Sequence, residues 1–404
     1  MTGDILDIDL VSQSFMHDPF PTLARLREAG PVVRVKLPFL GKTWLATTHE
    51  VVNKVLKDDG TFVRNASSTG KPAMFGRWWM PRTLRILNDT MMGHDGPDHR
   101  RLRKLVDQAF NRQSVESMKP SIAGICDSLL ERLTGPGPVD LMEGIARPLP
   151  LTVICELLGL PEEDRPVFRR WVKRMVSAAS LWGVLWSLPA FFRLMGYFKR
   201  HFAQCRQHPR PGLMTALIQA EQEGDKLSEN ELLAMAFLLL VAGHETTVHL
   251  IGGGTLALLE APEQNARLTA DWSLLPSAVE ELLRFESPVQ RVPRMTIEDI
   301  EISGVRIPRG QRVVAGTGAA NRDPAVFAEP NRLDLGRQPN PHLAFGHGIH
   351  FCLGAWLARL EAQIAFACAL RRLTAVQLAG PPVWSPNRVI RGLRSLPIQY
   401  TVIA

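Results

Sequence analysis

The residues best suited to chemistry lie in Phe345-Gly-His-Gly-Ile-His-Phe-Cys352-Leu-Gly354, where one cysteine stands in a glycine-punctuated loop just before a helical apolar period. Gly346, Gly348 and Gly354 permit backbone conformations and close approaches that a Cβ forbids, so a flat macrocycle has room beside such a loop. The run AWLARLEAQIAFACALRRL after Gly354 predicts a helix. Cys352 then sits at a helix N-terminus, where free amides and the helix dipole favour thiolate, the metal-ligating form, over thiol. A zinc site would need partner pairs of the CxxC or HxxxH kind, and the sequence has none. A cysteine hydrolase would need a base, which the pattern does not assign. Cys126, Cys155, Cys205 and Cys368 fall in helical apolar patterns and read as inert buried thiols.

A second constellation, Ala242-Gly-His-Glu245-Thr246-Thr247, interrupts the apolar run Leu232 to Leu259. The run is long enough for a membrane span, but ionisable groups at its centre and the absence of basic flanks predict a buried core helix. Polar residues inside such a helix need partners or a function. An acid beside an alcohol can relay protons. Thr246 can also hydrogen-bond the Ala242 carbonyl, loosening the helix into a local groove.

The pattern Phe345-x-x-Gly348-x-His350-x-Cys352-x-Gly354-x-x-Leu357-Ala358 resembles the haem-binding signature of the cytochrome P-450 monooxygenases, and residues 242–247 resemble that family's oxygen-activation motif. Motifs follow the family order from about Asp95 to Gly354, so the resemblance covers nearly the whole chain. It implies haem b with Cys352 as axial thiolate, Phe345, Gly346, Gly354 and Ala242 beside the cofactor, and Gly243 leaving space for dioxygen. Glu245 and Thr246 become the proton-delivering pair. Glu281-Leu-Leu-Arg284 matches the family's ExxR pair, joined by Arg337 of Asp334-Leu-Gly-Arg337 in a structural clasp; an exposed pair at that spacing contributes only ~0.2–0.5 kcal/mol. Buried propionates require cations or donors. The resemblance nominates His99 and Arg103 in Asp95-Gly-Pro97-Asp-His99-Arg-Arg-Leu-Arg103, together with Arg294 and His350.

The activity so implied is that of a monooxygenase using dioxygen and two electrons to hydroxylate or epoxidise a lipophilic small molecule. Separate ferredoxin and NAD(P)H-dependent ferredoxin reductase partners are implied as well. A peroxide-driven peroxygenase and a non-catalytic haem sensor are the alternatives, and the Glu245–Thr246 pair weighs against both. Aromatic segments holding Trp78, Trp79, Trp182 and Trp186 align with the family's lid regions, which suggests a fatty-acyl, terpenoid, steroid or polyketide-like substrate. Family position places Val241, Val289, Val292 and Ile390 in the cavity lining, with Arg77 or Arg391 as candidates for a substrate carboxylate. Membrane contact by the lid, whose aromatics interleave with Arg193, Lys199 and Arg200, ranks below substrate access.

These groups must be carried by a large fold. The 404 residues are 45% hydrophobic, and the length prior suggests two or three domains. The breaks Gly135-Pro-Gly-Pro138 and Gly380-Pro-Pro-Val-Trp-Ser-Pro386 are short and flanked by apolar segments, which predicts one domain over 1–404. Val32 to Thr48 alternates like two strands around Pro38-Phe-Leu-Gly41, and a second pair is expected at Ile300–Ile302 and Gln311–Val314. Most other windows are helical in period, so the expected fold is mainly α with a small β region, consistent with the family's triangular prism. Five unpatterned cysteines and an acidic, non-apolar N-terminus predict a cytoplasmic protein with no stable membrane span. The net charge of +7 comes from scattered bases without a nucleic-acid motif, and a basic face suits an acidic redox partner.

Overall fold

The computed structural model describes residues 5–6, 9–10, 12–37, 41–70, 81–133, 137–176, 181–220, 227–387 and 390–402. Contacts divide the chain into two compact units, one of Met1–Val63, Lys119–Pro148 and Thr246–Ala404, the other of Arg64–Met118 and Leu149–Glu245.

The first unit holds every strand among the described residues. Its main sheet orders Val32–Leu37, Gly41–Ala46, Arg312–Ala315, Val292–Thr296 and Phe62–Val63. Gly41–Ala46 and Arg312–Ala315 run parallel, and the other pairs are antiparallel. The helix His49–Lys57 buries Val51, Val52, Val55 and Leu56 at helical spacing against Trp44, Val313 and Ala315 of this sheet. Glu50 in its first turn and Lys54 and Lys57 in its last complement the dipole.

One expected pairing is different. Ile300–Ile302 pairs with Val305–Ile307, while Arg312–Ala315 joins the main sheet. Ser303 and Gly304 have φ of 51° and 77°, the conformation of a two-residue hairpin turn, so the chain reverses before it reaches residue 311.

In the same unit the helix Ala355–Arg372 packs against Leu275–Glu286 and Lys119–Glu131. Gly252, Gly253 and Gly254 have low intrinsic helix propensity, yet the helix Glu229–Glu260 continues through them. A Cβ there would lie 2.4 Å from Met142 Sδ, 2.7 Å from Glu286 Oε2 and 2.6 Å from Phe366 Cζ respectively, so neighbours occupy three sides of the helix. Tight packing offsets the low intrinsic propensity.

The second unit has helices and turns but no strand among its described residues. Its longest element, Leu181–Gln207, packs against Arg165–Val176 and Leu213–Ala220. An aromatic core forms there, with Phe168 edge-on to Tyr197 at 4.7 Å and Phe198 stacked on Phe202 at 5.9 Å. Glu229–Glu260 begins in this unit with a reciprocal cap. The Glu231 amide donates to Ser228 Oγ at 3.2 Å, and the Ser228 amide donates to Glu231 Oε2 at 2.7 Å. This helix alone among the described residues is long and apolar enough to cross a membrane, and 61% of its most apolar window is buried in the fold.

Candidate active site

The cysteine loop is fixed by its own backbone. The Cys352 amide donates to the Phe345 carbonyl at 2.9 Å, Gly346 N to Leu343 O at 3.0 Å, and Phe351 N to Gly348 O at 3.0 Å. Gly346 and Gly348 adopt φ of 72° and 74°, which disfavour any side chain. They serve different ends. A Cβ on Gly348 would sit 2.7 Å from the Leu56 carbonyl, so this glycine docks the loop on the helix His49–Lys57. At Gly346 the nearest atom, the His350 carbonyl, is 3.9 Å away, and at Gly354 protein atoms leave a Cβ unopposed within 4 Å.

The helix starts at Ala355, so Cys352 lies just ahead of its first turn, half-buried. The same unit carries a buried guanidinium at Arg294, whose Nη1 donates to Pro293 O at 3.1 Å, and the half-buried His350. A soft thiol, an uncrowded loop face and cationic donors suit a porphyrin iron with anionic side chains.

Glu229–Glu260 is mostly buried, but Ala242 is exposed and Gly243 and Thr246 are half-buried. Ala242 and Thr246 share a face at i,i+4 spacing. Glu245 and Thr247 are buried, and Glu245 Oε2 lies 3.6 Å from His244 Nδ1. A Cβ on Gly243 would approach Ile154 Cδ1 to 3.2 Å, so packing is a second reason for the missing side chain.

Glu281 and Arg284 are fully buried, unlike the exposed pair that their spacing alone describes. Arg284 donates to both Glu281 oxygens at 2.7 and 2.8 Å, and Arg337 Nε reaches the same oxygens at 3.1 and 3.2 Å. Asp334 N and Asn340 Nδ2 add bonds of 3.0 and 3.2 Å, while Arg284 Nη1 donates to the carbonyls of Asn321 and Pro330. Burial of so many charges is tolerable only because each is paired and hydrogen-bonded.

A neighbouring cluster carries no sequence signal. Glu280 accepts from Arg359 at 2.6 and 2.7 Å and contacts His342 Nε2 at 3.1 Å; the Arg359 guanidinium lies 4.5 Å over the Phe345 ring. Burial opposes ionisation of Glu280, but Arg359 and His342 hold its carboxyl at about 2. Glu361, on the helix after Cys352, is buried, and burial alone pushes its carboxyl well above the ordinary range.

In the second unit His99 is buried and Arg103 stands one turn later on the helix Gly96–Ala109, paired with Asp107 at 3.0 Å. Val241 is half-buried on Glu229–Glu260. In the first unit Val289 forms an isolated bridge with Ile390, and Val292 opens the strand Val292–Thr296. Arg391 is committed elsewhere than to a ligand: Nη1 binds Glu286 at 2.7 Å, Nε donates to Met16 O at 3.0 Å, and Trp384 covers its face at 4.0 Å. Trp78, Trp79 and Arg77 lie outside the described residues, as does the side chain of Trp182.

The profile of the Cytochrome P450 family matches residues 193–401. Cytochrome P450 monooxygenase PikC of Streptomyces venezuelae is 42% identical over 403 residues, covering 98% of this chain and 94% of that one. Mycinamicin IV hydroxylase/epoxidase of Micromonospora griseorubida is 40% identical, covering 93% and 94%. Among solved structures, the Bacillus subtilis bacillaene polyketide synthase cytochrome P450 PksS superposes with a TM-score of 0.90 at 39% identity, covering 98% of this chain and 100% of that one.

Fold and relatives together define a haem-thiolate oxygenase, mainly helical with a small β region. The chain belongs to the cytochrome P450 family. It is a monooxygenase that hydroxylates or epoxidises a lipophilic small molecule with dioxygen and two electrons, and a cysteine thiolate binds its haem.

Proposed function

We propose that Cys352 is the haem ligand of this chain, that residues 1–404 act as one haem domain, and that the substrate is an apolar polyketide or macrolide. Bound at this loop, haem supplies activation of dioxygen and transfer of one oxygen atom to a C–H bond or alkene. The chain holds the sulfur in place through the Cys352–Phe345 backbone bond and leaves the Gly346 and Gly354 side of the loop uncrowded. Arg294 and His350 of the first unit would neutralise the propionates, which otherwise carry a large desolvation cost; the same role for His99 and Arg103 rests on resemblance alone.

The observation that carries the monooxygenase reading is a buried Glu245 next to a half-buried Thr246 on one unbroken helix. The Glu245 carboxyl could hold a proton away from bulk water, and the accessible Thr246 hydroxyl could pass it out of the helix. A peroxygenase has no need of such a relay. Val289 and Ile390, bridged in the first unit, are assigned to an apolar lining; the same role for Val292 and Val241, and the lid role of Trp78, Trp79 and Trp182, rest on resemblance. Similarity to a polyketide-biosynthesis cytochrome P450 of Bacillus subtilis and to mycinamicin IV hydroxylase/epoxidase supports the polyketide class.

Electrons come from a ferredoxin reduced by an NAD(P)H-dependent reductase in the cytoplasm. In the first unit the half-exposed Phe351 and Trp356 flank Cys352, and Lys54 and Lys57 are exposed on the helix against which Gly348 packs. An apolar patch with nearby cations suits an acidic carrier.

Macrolactones and fatty acids should be titrated separately into the ferric enzyme while the Soret band is followed. A shift with macrolactones and oxygenated product with ferredoxin present is expected; a response to fatty acids only refutes the substrate class. Carbon monoxide added to the reduced enzyme should give a thiolate-type band, and an imidazole-type band refutes Cys352. Thr246→Ala should lose product and release peroxide; unchanged coupling of NAD(P)H to product sinks the relay.

A further inference from the structure

Two thiols outside the haem loop meet across a helix pair. Cys126 on Lys119–Glu131 and Cys368 on Ala355–Arg372 lie on helices that pack together, and each thiol perturbs the ionisation of the other. An ion pair sets the local register: Asp127, adjacent to Cys126, lies 3.4 Å from Arg372 Nη1, one turn beyond Cys368. Cys126 is fully buried, whereas Cys368 is partly exposed, contrary to the reading of all four such thiols as buried and inert.

The asymmetry extends to reactivity. The neighbouring Cys126 thiol lowers the pKa of Cys368 against the effect of burial, with Arg371 and Arg372 assisting. Cys368, then burial, raises that of Cys126. Partial exposure and a stabilised thiolate are the conditions under which a cysteine reacts with peroxide, and a second thiol in contact is what resolves the product. The remaining cysteines lack this arrangement. Cys155 is buried and pushed up to about 12 by desolvation, and the Cys205 sulfur faces His201 Nε2 at 3.6 Å.

We propose that Cys126 and Cys368 form a peroxide-oxidisable dithiol, with Cys368 as the attacking and Cys126 as the resolving thiol. The Cys368 thiolate attacks one oxygen of hydrogen peroxide; the O–O bond breaks, and with one proton the products are a sulfenic acid and water. The Cys126 sulfur then attacks the sulfenic sulfur, the S–O bond breaks, and its thiol proton leaves with hydroxide as a second water. Two thiols are oxidised to one disulfide while one peroxide is reduced to two waters. Peroxide is the by-product of oxygen activation without substrate oxidation, so the enzyme's own side reaction supplies the oxidant. The bridge would tie Lys119–Glu131 to the helix that follows the Cys352 loop.

Holoenzyme treated with an equivalent of hydrogen peroxide, quenched with catalase, unfolded and alkylated with N-ethylmaleimide should yield a Cys126–Cys368 linked peptide. Dithiothreitol should reverse the link, and both cysteines should lose alkylation in parallel. Cys126→Ser should leave Cys368 as a sulfenic acid trapped by dimedone, and Cys368→Ser should leave Cys126 fully alkylated. The proposal is overturned if both wild-type cysteines remain alkylated, if Cys368 proceeds to sulfonic acid while Cys126 stays free, or if the link joins two chains. The wild-type mapping decides independently of how the serine variants fold.

Discussion

The clasp around Glu281 and the helix Leu181–Gln207 hold their positions by opposite means. In the clasp two fully buried charges and Arg337 exchange directional bonds of 2.7 to 3.2 Å. In the helix, apolar packing dominates on one side, while Leu185 and Trp186 are 51% and 75% exposed on the other. Removing one member of the first arrangement strands a charge, whereas removing an exposed aromatic from the second leaves the core intact. The clasp is fixed by paired, buried charges. The region assigned to the lid is free to vary, as differing substrates require.

The sharpest break of this contrast is Glu281→Ala, which should cost about 3–5 kcal/mol by leaving Arg284 and Arg337 uncompensated. Denaturant midpoints and haem content report it, and a loss below about 1 kcal/mol would place the clasp among ordinary surface pairs.

Next in size is the pH response of Glu280. Its folded carboxyl is held at about 2, below the usual 4.5, so its stabilising effect is present above 4.5 and is lost as pH falls toward 2. After allowance for partial solvent screening this contributes about 1–2 kcal/mol. Arg359→Gln should therefore lower stability at pH 7 and flatten the acid limb; an unchanged limb assigns the acid sensitivity to other groups.

Glu361 tests the opposite sign. Its folded pKa is raised, so its contribution is complete below the unfolded value and falls as pH rises. Glu361→Gln should gain about 1 kcal/mol at pH 7 and nothing below pH 4, read from paired urea titrations. The smallest effect belongs to Trp186→Ala, within about 0.5 kcal/mol of wild type in stability. Its signature should instead be a changed substrate affinity in the Soret titration, and a large loss of stability would erase the contrast between the two regions.

The legible parts of the fold were those written within a few residues. The two strands on either side of residues 38–40 and the helix after Gly354 depend on local spacing, turns and end effects. The expected strand pair at 300–302 and 311–314 failed because the positive φ of Ser303 and Gly304 turns the chain earlier. Glu281 and Arg284 carried a motif, but their spacing says nothing of burial, and the bond to Arg337 spans 56 residues.

Glu280, Arg359 and His342 gave no motif because their bonds join sites 62 and 79 residues apart. Cys126 and Cys368 are likewise adjacent only because two helices pack. The amino-acid sequence by itself determined where a cysteine stands in a glycine loop before a helix and where an acid precedes an alcohol in an apolar run, since both patterns act over one or two turns. Tertiary structure alone decided which charges are buried, which glycines serve packing and which thiols meet. Those properties depend on neighbours brought together by burial of apolar surface, and local spacing carries no record of them.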